Sequence, residues 1–329
     1  MTTSHTLRLA RYGATSHKVP ATKNNKKVVI TVSSTRPVEV RFYPPPEDLR
    51  GYFTTFYCTD IDPGDAEALH DSLHPEWAGL RFFSPNLTRC WFEGGSELVD
   101  ASFVVTGPSS HPLHFTLPKT RLWGIGLLPL GWAKYLDQSA ADCANLVCDA
   151  HRHPATAHIV PLANTLFGEV PDEAAELQRM ISFFRDLKTP DPVDERRILD
   201  IHSALVDPQV VSVSDLVDRV SASQRTIERL CYRHFGFSPK LLLRRQRFMR
   251  SLAQFMLDPS LKWIGAMDQN YHDQAQFVRD FREFMGLSPR EYAAQPHPVL
   301  ERFLHERMKA YGAPVQTLDK PSGVPASAT

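Results

Sequence analysis

The chain has 329 residues, of which 42% are hydrophobic and 22% are charged, and its formal net charge is zero, a balance typical of a globular protein with about two domains. No stretch approaches the roughly eighteen uninterrupted apolar residues that span a membrane, and the N-terminus lacks the apolar region of a secretory signal, so we expect a cytoplasmic protein with no membrane partner. Five cysteines, an odd number, indicate free thiols in a reducing compartment rather than a disulfide framework.

The first 190 residues divide into a basic segment and a β-rich segment. Residues 1–36 contain six lysines and arginines before Arg36 and no acidic residue, which predicts a flexible basic arm. From 37 to about 129, short β-branched and aromatic runs such as VEVRFY, ASFVVTG and LHFTL are separated by turn residues. Strands at this spacing predict a sandwich or a small barrel. With the helical patterns GWAKYLDQ and 172–187 at its end, this N-terminal domain is expected to span residues 37–190.

The second half of the chain is predicted to be helical. The two prolines of TPDPVD, at 189–194, mark a linker, and a helical module follows at 193–294. Residues 295–329 are expected to form a C-terminal helix and a disordered tail. The predicted fold class is therefore α+β and multidomain, with a β-rich sandwich or barrel-like N-terminal domain followed by an all-α module.

Local charge distinguishes this module from the rest of the chain. Residues 219–250 contain nine basic residues and one acidic residue, Glu228, although the whole chain is neutral. A phosphate-binding surface must be locally cationic, so the segment is a candidate surface for a polyanion. A charge run is more often an ordinary solvated face, and charge alone leaves both interpretations open.

A repeat with an offset of fifty residues indicates how the module is built. HFGFSPK at 234–240 recurs as FMGLSPR at 284–290, so that Gly236 corresponds to Gly286. The glycine stands where a helix end needs left-handed dihedral angles, and the proline that follows can begin a new helix. The repeated element is thus a whole supersecondary unit.

Each copy of the repeat predicts a helix-turn-helix unit. The two units are expected at 212–239 and 263–289, with Ser223 and Asp273 as N-caps of their second helices. A continuous helix at 240–257 is expected between them. Its 18 residues span roughly 27 Å, close to the ~34 Å of one DNA turn once side chains are added, so each unit can address its own groove.

The segment 193–294 resembles the C-terminal DNA-binding module of the AraC/XylS family of transcriptional regulators. The resemblance includes both units, the helix between them and the ending FVRDFREFMGLSPREY. Upstream, YPPPEDLRGYFTTFYC and FVVTGPSSHPLHF resemble a β-rich N-terminal domain of uncharacterised function found in some members. The resemblance implies double-stranded DNA as the partner, RNA polymerase as a further partner of an activator, and an N-terminal domain that binds a small-molecule effector or forms a homodimer.

The resemblance also implies which residues contact bases. They are Gln224, Arg225, Glu228 and Arg229 on the second helix of the first unit, and Gln274, Ala275, Val278 and Arg279 on that of the second unit. Arginine suits guanine, glutamine suits adenine, glutamate can accept from cytosine N4, and valine can contact a thymine methyl group, so the first helix is the better equipped. In the turn of the second unit, Asn270 replaces the family's usual glycine, and asparagine tolerates left-handed dihedral angles.

Arginines of the connecting helix are predicted to contact phosphates. Arg244 and Arg245 lie in the basic cluster at 240–250, where side chains are better placed for the DNA backbone than for base edges. Replacing both by alanine is expected to weaken binding to all sequences alike and to lower the slope of log K against log salt by up to about 2.

Two groups of residues are weaker candidates for a metal site. Cys143, Cys148, His151 and His153 form C-x4-C-x2-H-x-H, whose spacing fits no closed zinc motif well, so packing beside a polar loop is favoured. Nothing in the sequence fixes His70, His74 and Glu76 on one face. No G-x-S-x-G, P-loop or G-x-G-x-x-G motif occurs, so nucleophilic and nucleotide chemistry have no support.

The sequence therefore predicts a transcriptional regulator that binds two adjacent major-groove segments and has no catalytic residue, metal or cofactor. In the alternative hypothesis, the N-terminal domain is an enzyme or a metal-dependent sensor, and the DNA-binding module is its output. Metal analysis of the purified N-terminal domain separates the two.

Overall fold

The structure, a computed structural model, describes residues 37–321. The predicted basic arm at 1–36 and the last part of the predicted tail, 322–329, lie outside the described residues. Over the described range, the β-rich part and the helical part belong to the same compact unit.

Eight antiparallel strands form one sheet within the described residues. Their bounds are β1 Val38–Tyr43, β2 Phe53–Ile61, β3 Leu69–Leu73, β4 Gly79–Phe92, β5 Leu98–Thr106, β6 Leu113–Leu117, β7 Thr120–Leu127 and β8 Val147–Asp149. The order along the sheet is β1-β2-β7-β4-β5-β8, with β6 beside β4 and β3 beside β6. This antiparallel half-barrel, followed by a helical module, confirms the predicted fold class.

The helices follow the sheet in sequence. Their bounds are α1 Pro129–Tyr135, α2 Val160–Thr165, α3 Glu173–Asp186, α4 Glu195–Val206, α5 Val213–Val220, α6 Gln224–Phe235, α7 Pro239–Leu257, α8 Lys262–Ala266, α9 Gln274–Met285, α10 Pro289–Ala293 and α11 Leu300–Tyr311. Short 3-10 turns also occur, among them Ala140–Cys143 and Gln316–Leu318.

The long strand β4 allows one sheet to present two buried faces. Its first half pairs with β7 and β5 and its second half with β6, with a change of register against β5 between Phe82 and Leu87. One face packs against α1, α2 and α3 around Phe56 and Trp123. The other face encloses an apolar core around Phe83 and Phe115. Burial on both sides explains why many strands have continuous rather than alternating apolar runs.

The helical module has two apolar cores joined by α7. The core of the first unit contains Ile227 from α6 and Leu242 from the start of α7. The core of the second unit contains Phe248 from further along α7 and Phe281 from α9. Because α7 contributes to both cores, it fixes the two units relative to each other.

Some elements differ from the sequence patterns. Strands β3 and β8 were not predicted, since LHDSL contains polar residues and VCD is only three residues long. Residues 315–321, expected to belong to a disordered tail, are ordered, and Thr317 is completely buried. The contacts that order them come from the N-terminal domain and α7, which are distant in the sequence.

Candidate nucleic-acid interface

The first helix-turn-helix unit is built by local capping. Ser212 and Asp215 form a capping box at the start of α5, and Ser221 ends that helix in the left-handed conformation, with φ 52°. Ser223 begins α6, where its hydroxyl accepts a hydrogen bond from the Thr226 amide at 3.2 Å. Gly236 ends α6 with φ 84°. The caps predicted from the sequence therefore set both ends of the first recognition helix.

The solvent face of α6 presents three of the four predicted base-contacting side chains. Gln224, Arg225 and Arg229 are exposed, and Glu228 is half-buried. The amide of Gln224 donates to the Glu228 carboxylate at 2.9 Å, which orients both side chains. Arg229 lies 3.9 Å from the Asp194 carboxylate, whereas Arg225 has no ion-pair partner within residues 37–321. Arg225 is thus the most available guanidinium on this face.

The second unit repeats the capping but presents a weaker face. Asp273 accepts from the Gln276 amide at 2.6 Å at the start of α9, and Gly286 ends the helix with φ 70°. Gln274 and Arg279 are exposed, but Val278 is half-buried against the core of this unit. A side chain that packs inward offers less contact to a base.

The turn of the second unit does not use the expected left-handed residue. Asn270 does not have a positive φ, in contrast to Ser221 in the first unit. Its side-chain amide instead donates to the Pro208 carbonyl at 3.1 Å, and its backbone amide donates to Asp268. Hydrogen bonds with these neighbours, rather than a left-handed dihedral angle, shape this turn.

Most arginines of α7 are bound within the protein. Arg244 forms ion pairs with Asp280 at 2.7 Å and with Glu283, and Arg247 contacts Asp280 at 3.0 Å. Arg250 pairs with Asp268. Asp280 is only 3% exposed, so it neutralises arginines inside the module and does not face a phosphate. The basic cluster seen in the sequence is therefore not a free cationic surface.

Arg245 is completely buried at the boundary with the N-terminal domain. Its Nη1 donates to the Ser109 carbonyl at 2.8 Å, and its guanidinium lies 4.4 Å from the centre of the Trp77 ring. Burial lowers the pKa of Arg245 to about 9. In this arrangement Arg245 cannot contact phosphate, and the sequence-based prediction for it is wrong for the closed structure, because local charge does not reveal which face of α7 meets the other domain.

Sequence reasoning left exposed cations beside the predicted contacts out of the interface. Arg282 is exposed one turn after Arg279 on α9, and Lys240 is exposed at the start of α7. Helical spacing of three residues from Arg279 was the available signal for Arg282. These residues, rather than Arg244 and Arg245, add free positive charge next to the recognition helices.

Neither of the two groups considered for a metal assembles three ligand atoms within residues 37–321. His74 instead hydrogen-bonds the Tyr292 hydroxyl at 2.7 Å, and Glu76 forms an ion pair with Arg81 at 2.6 Å. Burial lowers the pKa of His74 to about 3, so its ring is neutral at pH 7. A different group in the described range, Cys58 with Asp60 and Glu173, does come together.

That third group is an ion-pair network. Arg41 binds both Asp60 and Glu173, and Arg121 binds Asp60 at 2.9 Å. Burial raises the pKa of the Cys58 thiol to about 11, so the thiolate that a metal prefers is disfavoured. Two arginines occupy the carboxylates that a metal would need.

A half-barrel joined to paired helix-turn-helix units with capped recognition helices defines the class of this protein as a DNA-binding transcriptional regulator. Residues 216–295 match the family model described as a helix-turn-helix domain, and this module is of the AraC type, as the repeat and the ending FVRDFREFMGLSPREY predicted.

Solved structures with a similar course of the chain include AraC-family regulators. ToxT from Vibrio cholerae in its P21 form shares 12% sequence identity over 78% of this chain and 96% of ToxT, with a TM-score of 0.39. ToxT with bound unsaturated fatty acid shares 9% identity over 78% and 94%, with a TM-score of 0.38. The AraC-like transcriptional activator CuxR shares 15% identity over 67% and 88%, with a TM-score of 0.23.

Comparison with the curated proteins finds no match. None of the helices among residues 37–321 combines the length and apolar composition needed to cross a membrane.

Proposed function

We propose that this protein regulates transcription by binding two adjacent major-groove segments, with α6 as the main recognition helix and α9 as a weaker one. Gln224, Arg225, Glu228 and Arg229 are the proposed base contacts of α6, and Gln274, Val278 and Arg279 are those of α9. The observation that supports this most is the free, exposed guanidinium of Arg225 beside the positioned Gln224 on the outer face of α6. The proposed action is binding, without a catalytic step.

The contribution of Arg225 is the direct test. Arg225→Ala removes a bidentate contact to guanine, which should cost about 1–3 kcal/mol and relax preference at one base pair. Arg229→Ala should act in the same direction but more weakly, because Asp194 already attracts this guanidinium. Affinity is measured by gel-shift titration on a duplex selected with the full-length protein from a random pool.

Arg233→Ala is the matched control for charge. Arg233 also lies on α6, but it pairs with Asp137 at 3.4 Å near the end that meets the N-terminal domain. Its loss should leave base preference unchanged. Wild-type affinity and preference in both Arg225→Ala and Arg229→Ala would contradict the assignment of α6.

The phosphate contacts predicted on α7 take a different form in this proposal. Arg244 is partly exposed, but it can reach a phosphate only by leaving Asp280 and Glu283. Lys240 and Arg282 carry exposed charge and are the better candidates for nonspecific contacts. The double change of Arg244 and Arg245 should therefore lower the salt slope by less than the sequence alone predicted.

We further propose that an apolar small molecule is the effector of the N-terminal domain. A narrow cavity inside the half-barrel is lined by apolar side chains, including Phe83, Phe115 and Leu122, and Arg81 is the charged residue at its wall. A thermal-shift screen of small apolar molecules against the full-length protein tests this, and the absence of any stabilising compound would count against it. A homodimer and a contact with RNA polymerase stay predictions.

A further inference from the structure

Residues 297–319 form a C-terminal strap that touches both parts of the molecule. The strap contains α11 and the 3-10 turn Gln316–Leu318, and it follows the last helix of the second helix-turn-helix unit. Val299 belongs to the core inside the half-barrel, whereas the next residue, Leu300, belongs to the core of the second unit. Two adjacent residues are therefore buried in two different domains.

A buried carboxylate of the half-barrel caps the start of α11. Asp71 on β3 accepts from the backbone amides of Val299 at 2.8 Å and Leu300 at 2.9 Å, and its side chain is 1% exposed. His297 approaches the same carboxylate at 3.4 Å. Helix N-terminal amides bind a carboxylate favourably, so Asp71 anchors the strap to the N-terminal domain.

Aromatic side chains continue the attachment along α11. Phe303 packs edge-on against Tyr57 at 5.0 Å and Phe42 at 5.6 Å between ring centres. One helical stretch further, the Tyr311 hydroxyl lies 2.7 Å from the Thr55 hydroxyl. Burial of such rings contributes both area and geometry. The outer face of α11 is thus fitted to β1 and β2.

The end of the strap reaches α7 and closes the boundary between the domains. Gln316 donates to the Glu76 carboxylate, and the Thr317 carbonyl accepts from Gln246 of α7. The neighbouring residue of α7, Arg245, is the arginine buried against Trp77. The strap therefore covers the side of α7 that faces the N-terminal domain.

This boundary contains buried polar atoms without partners. Within residues 37–321, they include Nε and Nη2 of Arg245, Nε1 of Trp77 and Nε2 of His202. Each unpartnered buried donor or acceptor costs about 1–3 kcal/mol, and a buried cation without a carboxylate costs more. Closure at this boundary is opposed by its own polar groups, and the strap supplies contacts that offset the cost.

From these contacts we propose that the C-terminal strap is an intramolecular clamp that holds the DNA-binding module against the half-barrel, and that its release strengthens DNA binding. The closed arrangement encloses Arg245 and ties the second unit to the N-terminal domain through α11. Release frees that unit to align with the first and returns a positive charge to the module's surface. This inference rests on the proposed binding of DNA by α6 and α9.

The test compares variants that weaken the strap far from the recognition helices. Asp71→Ala removes the cap of α11, and Phe303→Leu keeps an apolar side chain but loses the aromatic contacts. Asp62→Ala is the control, because Asp62 is a carboxylate of the same domain that pairs with Lys119 at 2.8 Å. Hydrogen exchange of the α11 and α9 amides is measured together with affinity for the duplex selected with the wild-type protein.

The expected result is faster exchange in α11 with α9 still protected, and a Kd about fivefold lower or more, the usual size of coupling between sites. The control should match the wild type. Faster α11 exchange with equal or weaker binding overturns the clamp, as does unchanged α11 exchange in the double variant. A wild-type protein that binds no duplex at all would instead contradict the proposed DNA-binding function.

Discussion

Asp280 shows how one residue changes the meaning of a basic sequence. Its buried carboxylate accepts from Arg244 and Arg247 of α7, and the Tyr271 hydroxyl donates to it at 3.1 Å. Arg247 also lies over the Tyr271 ring at 4.3 Å. The group links α7, the turn of the second unit and α9, so its role is to hold the second unit together.

Removing this charge is expected to destabilise the module. Asp280→Asn keeps the shape but leaves two arginines without their shared carboxylate, which should cost about 3 kcal/mol of unfolding free energy. Glu283→Gln is the matched control, because Glu283 is 46% exposed and pairs only with Arg244, and it should cost about 1 kcal/mol or less. Urea denaturation of both variants provides the comparison. Equal losses would show that Asp280 does not have this role.

Local residue patterns predicted the recognition helices well because their signals are short in range. Ser223 and Asp273 cap the helices through amides three residues ahead, so sequence alone locates them. Arg245 is different, because its environment is Ser109 and Trp77, more than a hundred residues away. A count of local charges cannot separate a buried arginine from an exposed one.

At the scale of elements, α7 determines how the two recognition helices are spaced. It is continuous from Pro239 to Leu257, and its 19 residues extend about 28 Å. Leu242 packs in the core of the first unit and Phe248 in that of the second. A helix held in both cores cannot act as a flexible tether.

The spacing of the binding site should therefore be rigid. We expect two short elements about 10 bp apart, centre to centre. Inserting five base pairs turns the second element to the opposite face of the DNA, and affinity should fall toward that of the first element alone. A ten-pair insertion restores the face but not the distance and should also bind poorly, whereas a flexible linker would tolerate it better.

Footprinting on the three duplexes distinguishes these cases, with a duplex that contains only the first element as the control. Loss of the second footprint alone agrees with the half-buried Val278 of α9. Protection of both elements after the five-pair insertion would exclude a rigid pair of recognition helices.

The strap illustrates which elements a sequence does not place. The C-terminal helix was expected from its pattern, and α11 is present at Leu300–Tyr311. Its partners, however, are β1, β2 and β3, which lie more than two hundred residues earlier. The order of residues 315–321 has the same origin, because no local pattern signals packing against a distant strand.

At the scale of the whole molecule, Trp77 joins the two domains. It belongs to the N-terminal domain but lies in the core of the first helix-turn-helix unit, where it is 1% exposed. Its ring packs edge-on against His202 at 5.2 Å and Phe235 at 5.8 Å between centres. Because α6 ends at Phe235, the first recognition helix is supported directly by a side chain of the half-barrel.

This contact should make the two domains unfold together. We expect one calorimetric transition for the wild type and two for Trp77→Ala, since removal of a buried tryptophan costs about 3–5 kcal/mol and here the loss falls on the boundary. Trp91→Ala is the control, because Trp91 lies on β4, is half-buried and stacks on His114 at 5.5 Å, within the half-barrel. That variant should keep one transition. A single transition for Trp77→Ala, shifted no further than in the control, would mean that the domains are coupled through the strap and not through this side chain.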